Sequence, residues 1–132
     1  MISARLRGLD FDICGNENAL VIETSDCICA DYIIERVRQD SCASLVVVDY
    51  LQLLDQKRQN PELAVQVAAL ADFARVTGSI IVTMSQIDRS FDAGSKSLPG
   101  LADVRLPNPV DTALFTKTCF LHNGELQVEA VN

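Results

Sequence analysis

Short apolar runs alternate with amphipathic stretches along this chain, the pattern of strands interleaved with helices. Ala19–Glu23 (ALVIE) is a short apolar run and reads as a strand. Ala30–Gln39 sets Ile33, Ile34 and Val37 on one side and its charged residues on the other, as a surface helix does. Leu45–Tyr50 (LVVVDY) is β-branched without alternation, so it reads as a strand buried on both faces. The next helix carries the clearest signals. Asn60 can cap it, Pro61 suits its first turn and Gly78 can stop it, while Leu63, Val67, Leu70 and Ala74 recur at helical spacing. Ser79–Ser85 (SIIVTMS) then reads as a second buried strand.

From Gln86 to Pro109 the apolar periodicity stops, and glycine, proline and charged residues take over. This stretch reads as a long loop with one helical turn at most, and such a loop within a compact domain is usually functional or disordered. Lys117–His122 and Glu125–Ala130 flank Asn123-Gly124, a strong hairpin signal. Strand, helix, strand, helix, strand predicts an α/β fold. Its core is a mostly parallel sheet with flanking helices, right-handed crossovers and a closing β-hairpin. There is no internal repeat and no linker, so residues 1–132 are read as a single domain.

Composition narrows the classes. A 132-residue chain with 48% hydrophobic and 22% charged residues is globular and not disordered. No apolar run approaches the roughly 18 residues of a membrane span, and no secretory signal is visible, so the cytoplasm is the expected location. Five cysteines (Cys14, Cys27, Cys29, Cys42 and Cys119) are read as buried reduced thiols. Cys27-x-Cys29 is half of a metal site at best, because no second ligand pair follows and His122 is the only histidine. A net charge of −7, with 11 basic against 18 acidic residues, argues against strong nucleic-acid binding by this chain alone. Local basic loops remain open.

In a parallel sheet, ligands gather at the carboxyl ends of the strands. Asp49 ends one apolar strand and Gln86 follows the next. An acid there can hold Mg²⁺ on nucleotide phosphates, directly or through water, and a neighbouring amide can sense the γ-phosphate. The bland reading is a turn cap and a polar strand end.

The longer string Leu45-Val46-Val47-Val48-Asp49-Tyr50-Leu51-Gln52-Leu53-Leu54 closely resembles the Walker B segment of DnaB-type replicative helicases. One helix later, Ser85-Gln86-Ile87-Asp88-Arg89 resembles that family's S-Q-[LI]-x-R motif. Leu101-Ala102-Asp103-Val104-Arg105 is similar to the segment that leads into its DNA-facing loop, and the likeness spans roughly Ala19 to Asp111.

The resemblance implies the C-terminal portion of a RecA-like P-loop NTPase core that uses ATP and Mg²⁺. It makes Asp49 the Walker B acid and metal holder, and Gln86 the γ-phosphate sensor. Arg89 becomes a charge near the nucleotide or subunit interface. Lys57, Arg58, Lys96 and Arg105 become residues facing single-stranded DNA in the channel of a homo-oligomeric ring. For Lys57, Arg58 and Lys96 a solvated surface charge is the bland alternative.

The chain also departs from that family. No G-x-x-x-x-G-K-[ST] occurs within it, and Gly94-Ser95-Lys96-Ser97 lacks both the earlier glycine and the strand-to-helix setting. The backbone N–H cradle for phosphates is therefore not supplied here. Glu23 is a strand-end acid, but it aligns with a later strand than the family's catalytic glutamate. After Arg105 the pattern gives way to Leu106-Pro107-Asn108.

Without a phosphate-loop strand the sheet keeps an edge beside Ser79–Ser85. Such an edge invites pairing, so either the closing hairpin fills it or the protein self-associates there. Two functional readings follow: an incomplete helicase ATPase core, or a non-catalytic assembly or regulatory module that docks on a helicase. An unrelated flavodoxin-like domain would need a phosphate-binding turn after its first strand, and Thr24-Ser25-Asp26 is a poor one.

Overall fold

The computed structural model describes residues 21–39, 43–92, 94–105 and 109–131. Its regular elements are α1 (Ala30–Arg38), β1 (Leu45–Val48), α2 (Leu63–Thr77), β2 (Ile80–Thr83), β3 (Lys117–His122) and β4 (Glu125–Ala130). Short 3-10 turns lie at Leu51–Asp55, Leu101–Asp103 and Thr112–Leu114. β1 and β2 pair in parallel, with Leu45 opposite Ile80 and Val48 opposite Thr83. β3 and β4 form a separate antiparallel pair. The fold is α/β, but the mostly parallel sheet expected from the strand pattern is here one parallel pair and one hairpin.

α1 follows from its pattern. Ile33 is buried, Ile34 and Val37 pack partly against the core, Asp31 lies in the first turn, and Arg36 and Arg38 lie in the last. Those charges match the helix dipole at both ends. α2 begins at Leu63 with Glu62 at its N-cap, two residues later than Asn60 would allow. Asn60 instead donates its side-chain amide to the Leu54 carbonyl at 2.9 Å and closes the turn before the helix. The stop is as expected. Gly78 takes φ 72°, and its N–H bonds the Ala74 carbonyl at 2.9 Å.

The core lies where the two helices meet β1 and the Leu51–Asp55 turn, and it contains Ile33, Val48, Leu51, Leu54, Leu63, Val67 and Leu70. On α2 the buried stripe includes Phe73 and, unexpectedly, Gln66, while Ala74 is only half-buried. Gln66 is 1% exposed and fully engaged. Its Oε1 accepts from the Ala30 N–H at 2.9 Å, and its Nε2 donates to the carbonyls of Leu54 and Pro61, each at 2.7 Å. One side chain thus joins the start of α1, the turn after β1 and the entry to α2.

Four expectations need correction. Leu45–Tyr50 and Ser79–Ser85 are not buried on both faces: Val46 and Ile81 pack toward the helices, whereas Leu45 is 67%, Val47 56%, Ile80 63% and Val82 43% exposed. Both helices cover the same side, so an all-apolar strand leaves every second residue in solvent. Val21–Glu23 is not a strand, because no described strand lies beside it to pair with; Ala19 and Leu20 fall outside the described residues. The closing hairpin does not fill the sheet edge, since among the described residues β3 and β4 pair only with each other. Asn123 (φ 50°) and Gly124 (φ 83°) give that hairpin the two positive-φ turn positions that match strand twist. The cysteines are not buried where described: Cys27 and Cys119 are exposed and Cys29 is half-buried, while Cys14, Cys42 and Leu106-Pro107-Asn108 lie outside the described residues.

Replacing Gln66 by Leu removes three hydrogen bonds and strands one buried N–H and two carbonyls. An unsatisfied buried group costs about 1–3 kcal/mol, so Gln66→Leu is expected to lower unfolding stability by on the order of 3 kcal/mol. Urea unfolding measures this. A loss below about 0.5 kcal/mol, the range of an ordinary surface substitution, would contradict the role given to this amide.

Candidate functional site

The carboxyl ends of β1 and β2 lie side by side because the strands are parallel and in register. The Met84 N–H bonds the Val48 carbonyl at 2.9 Å, and the Leu51 N–H bonds the Met84 carbonyl at 2.8 Å. Pairing therefore continues past the last strand residues, which sets Asp49 level with Met84 and places Gln86 two residues farther on. Asp49 is exposed, and among the described residues its carboxylate makes no hydrogen bond or ion pair. The Asp49–Tyr50 peptide is cis.

A third segment joins these ends. The Arg105 N–H bonds the Gln86 carbonyl at 2.8 Å, and the Asp88 N–H bonds the Asp103 carbonyl at 2.7 Å. Together they make an antiparallel bridge between Ile87 and Val104. The loop from Gln86 onward is therefore folded back on itself. Asp103 organises its base: its Oδ2 accepts from the Gly100 N–H at 2.8 Å and from Lys96 Nζ at 3.3 Å. The Gly100 N–H bond and the Lys96 ammonium hold the Asp103 carboxyl below its ordinary value. Asp88 is also held low, mainly by hydrogen bonds from Ser90.

The candidate residues separate into two groups. Asp49 lies at the tip of β1 beside Met84, Gln86 and Arg105 are joined through their backbones just beyond, and Arg89 lies exposed three residues after Gln86. Lys57 and Arg58 lie exposed beyond the Leu51–Asp55 turn, with Lys57 Nζ 3.6 Å from Cys27 Sγ. Lys96 is not a free cation, because Asp103 partly neutralises it. Glu23, the remote candidate for a catalytic acid, is spoken for: its carboxylate meets Arg36 at 2.7 Å and Tyr32 at 3.0 Å. Arg36 chiefly, then Tyr32, lowers its pKa. It tethers the segment before α1 to that helix.

Among the described residues no group of three His, Cys, Asp or Glu side chains could hold a metal ion, and Cys27 and Cys29 make no such site. Asp49 alone cannot cage Mg²⁺. Its free, solvent-facing carboxylate does fit an ion that keeps several waters and is shared with phosphates, the usual way Mg²⁺ is held. A shallow hollow of about 30 Å³ lined by Ala30, Asp31, Pro61, Val65, Gln66 and Ala69 lies between the helices, away from the strand ends, and carries no candidate chemistry.

One residue at this site went unassigned in the sequence. Gln52 donates its amide to Ser85 Oγ at 3.1 Å and to the Arg105 carbonyl at 2.7 Å, and so reaches across both neighbouring segments. Its only sequence signal was its place within the D-Y-L-Q-L run.

No curated protein and no solved structure matches the chain. The DnaB-like helicase C terminal domain family matches residues 14–112, a span that contains α1, both parallel strands, α2 and the folded-back loop. This chain belongs to the family of DnaB-like helicase C-terminal domains.

Proposed function

We propose that this chain forms the Walker B and sensor part of an ATP-driven DNA helicase core of the RecA-like kind. The observation that carries the reading is the pairing of β1 with β2, which sets an unengaged Asp49 beside the segment that bears Gln86. Nucleotide with Mg²⁺ would supply the phosphoryl chemistry when bound. Asp49 would hold the ion through its water ligands, and the Gln86 amide would meet the γ-phosphate or orient a water against it. Arg89 would offset phosphate charge within the subunit or across to a neighbour. The cradle of backbone N–H groups is not among these residues, so affinity is weak and hydrolysis by this chain alone is not expected.

In the same reading Lys57, Arg58 and Arg105 face single-stranded DNA in a homo-oligomeric ring, with Lys96 a lesser contributor because of Asp103. Backbone tracking by scattered cations suits a channel wall better than a free-standing binding site, given the net charge of −7. Among the described residues no helix is long and apolar enough to cross a membrane. We place the protein in the cytoplasm, with the replication machinery.

A second reading is favoured by the apolar sheet face of Leu45, Val47, Ile80 and Val82, which solvent would not normally be left to cover. There the domain is a non-catalytic module that docks on a helicase or self-associates.

A titration with a fluorescent ATP analogue and Mg²⁺ separates the two. The ATPase reading predicts saturable, Mg²⁺-dependent binding with Kd of about 1 mM, equivalent to roughly −4 kcal/mol, lost in Asp49→Ala. No Mg²⁺-dependent binding at several times that concentration favours the assembly module. For DNA, the double variant Lys57→Ala with Arg58→Ala is expected to reduce the slope of log K against log salt by about 1.4, two phosphates at about 0.7 each for a single strand. An unchanged slope would remove these two residues from the DNA path.

A further inference from the structure

We infer that Gln52 is a positioning residue that holds the Arg105 segment in register on the Gln86 segment, a clasp between the nucleotide side and the DNA side of this domain. The inference rests on the proposed function for the naming of those two sides, but the clasp itself stands on geometry. Gln52 lies in the 3-10 turn Leu51–Asp55, whose buried Leu51 and Leu54 fix it to the core. From that rigid base its Nε2 spans to Ser85 Oγ at 3.1 Å and to the Arg105 carbonyl at 2.7 Å. These partners are 33 and 53 residues away in the chain, so no local turn chemistry accounts for the pairing.

The orientation of the amide is determined. A backbone carbonyl only accepts, so the NH₂ end must face Arg105, and the reverse orientation would set two carbonyl oxygens against each other. On the other end, Gln52 Oε1 meets no hydrogen-bond donor among the described residues.

The clasp closes a circuit. Arg105 is bound through its N–H to the Gln86 carbonyl and through its carbonyl to Gln52, while the Leu51 N–H is bound to the Met84 carbonyl. The turn after β1 therefore grips the segment after β2 on one side and reaches past it to Arg105 on the other. A shift of Ser85–Gln86 cannot occur without straining or releasing Arg105. With Gln52 removed, the backbone hydrogen bonds left to the Arg105 segment among the described residues are those of its bridge to Gln86 and Asp88.

Native-state amide hydrogen exchange on the full chain without ligand tests this. Gln52→Met keeps length and apolar packing but has no donor, and Gln52→Glu keeps shape but turns an acceptor toward the Arg105 carbonyl. Both are expected to speed exchange of the Arg105 and Asp88 amides about tenfold, the equivalent of one hydrogen bond of ordinary net strength, with the Met84 and Gly78 amides unchanged. Unchanged exchange at Arg105 would overturn the clasp. Equal acceleration throughout the protein would overturn it too, by reducing Gln52 to a packing residue. The nucleotide titration is judged separately, because this experiment contains no nucleotide: the clasp can hold where nucleotide fails to bind, and the converse.

Discussion

A primary amide buried between two helices is costly unless both of its ends are satisfied, and the Gln66 side chain meets that condition through three separate stretches of backbone. Its oxygen must face the Ala30 N–H, and its nitrogen must face the carbonyls of Leu54 and Pro61, so the side chain has one orientation. Neither Glu nor Leu of similar size could serve all three partners. The start of α1, the end of the Leu51–Asp55 turn and the entry to α2 are consequently fixed to one another. Apolar packing of Leu54, Leu63, Val67 and Leu70 surrounds the amide and keeps water from competing for it.

That junction is several residues from the candidate chemistry, yet it sets the geometry there. Leu51–Asp55 is the continuation of β1, and its position decides where Asp49 sits at the strand tip and where Gln52 reaches. α2, anchored at the same junction, returns the chain so that β2 lies parallel to β1, and Gly78 provides the left-handed turn that ends the helix in time. Backbone pairing beyond Thr83 then carries Ser85 and Gln86 alongside. Packing holds the frame, and hydrogen bonds at the strand ends align the polar groups.

Much of this frame was legible in the sequence. α2 and its glycine stop, the Asn123-Gly124 hairpin and the two β-branched strands follow from periodicity and turn chemistry, and the structure agrees on each. What the pattern could not reveal was which face of a strand is covered. The run Leu45–Val48 is apolar at every position, so it carries no alternation to report that Leu45 and Val47 are left in solvent. Gln66 was invisible for the opposite reason, a polar residue at a core position whose partners are backbone groups distant in the chain. Asn60 shows the limit of capping rules, since its side chain found a better acceptor in the Leu54 carbonyl behind it. At the site, Asp49 and Gln86 were singled out by their places at the strand ends, and motif resemblance gave them their roles and added Arg89. The pairing of Lys96 with Asp103 and the reach of Gln52 depend on how the loop folds back, which no local spacing encodes.

The central claim is that Asp49 and Gln86 form one site for a metal-bearing nucleotide, and paramagnetic relaxation tests its location directly. Mn²⁺ in place of Mg²⁺, added with ATP to the isotopically labelled chain, broadens the amide signals of nearby residues. Preferential broadening at Asp49, Ser85 and Gln86, absent in Asp49→Asn, is the result this account predicts. Broadening centred instead on the acidic loop of Asp88, Asp92 and Asp103, and unaffected by Asp49→Asn, would contradict it.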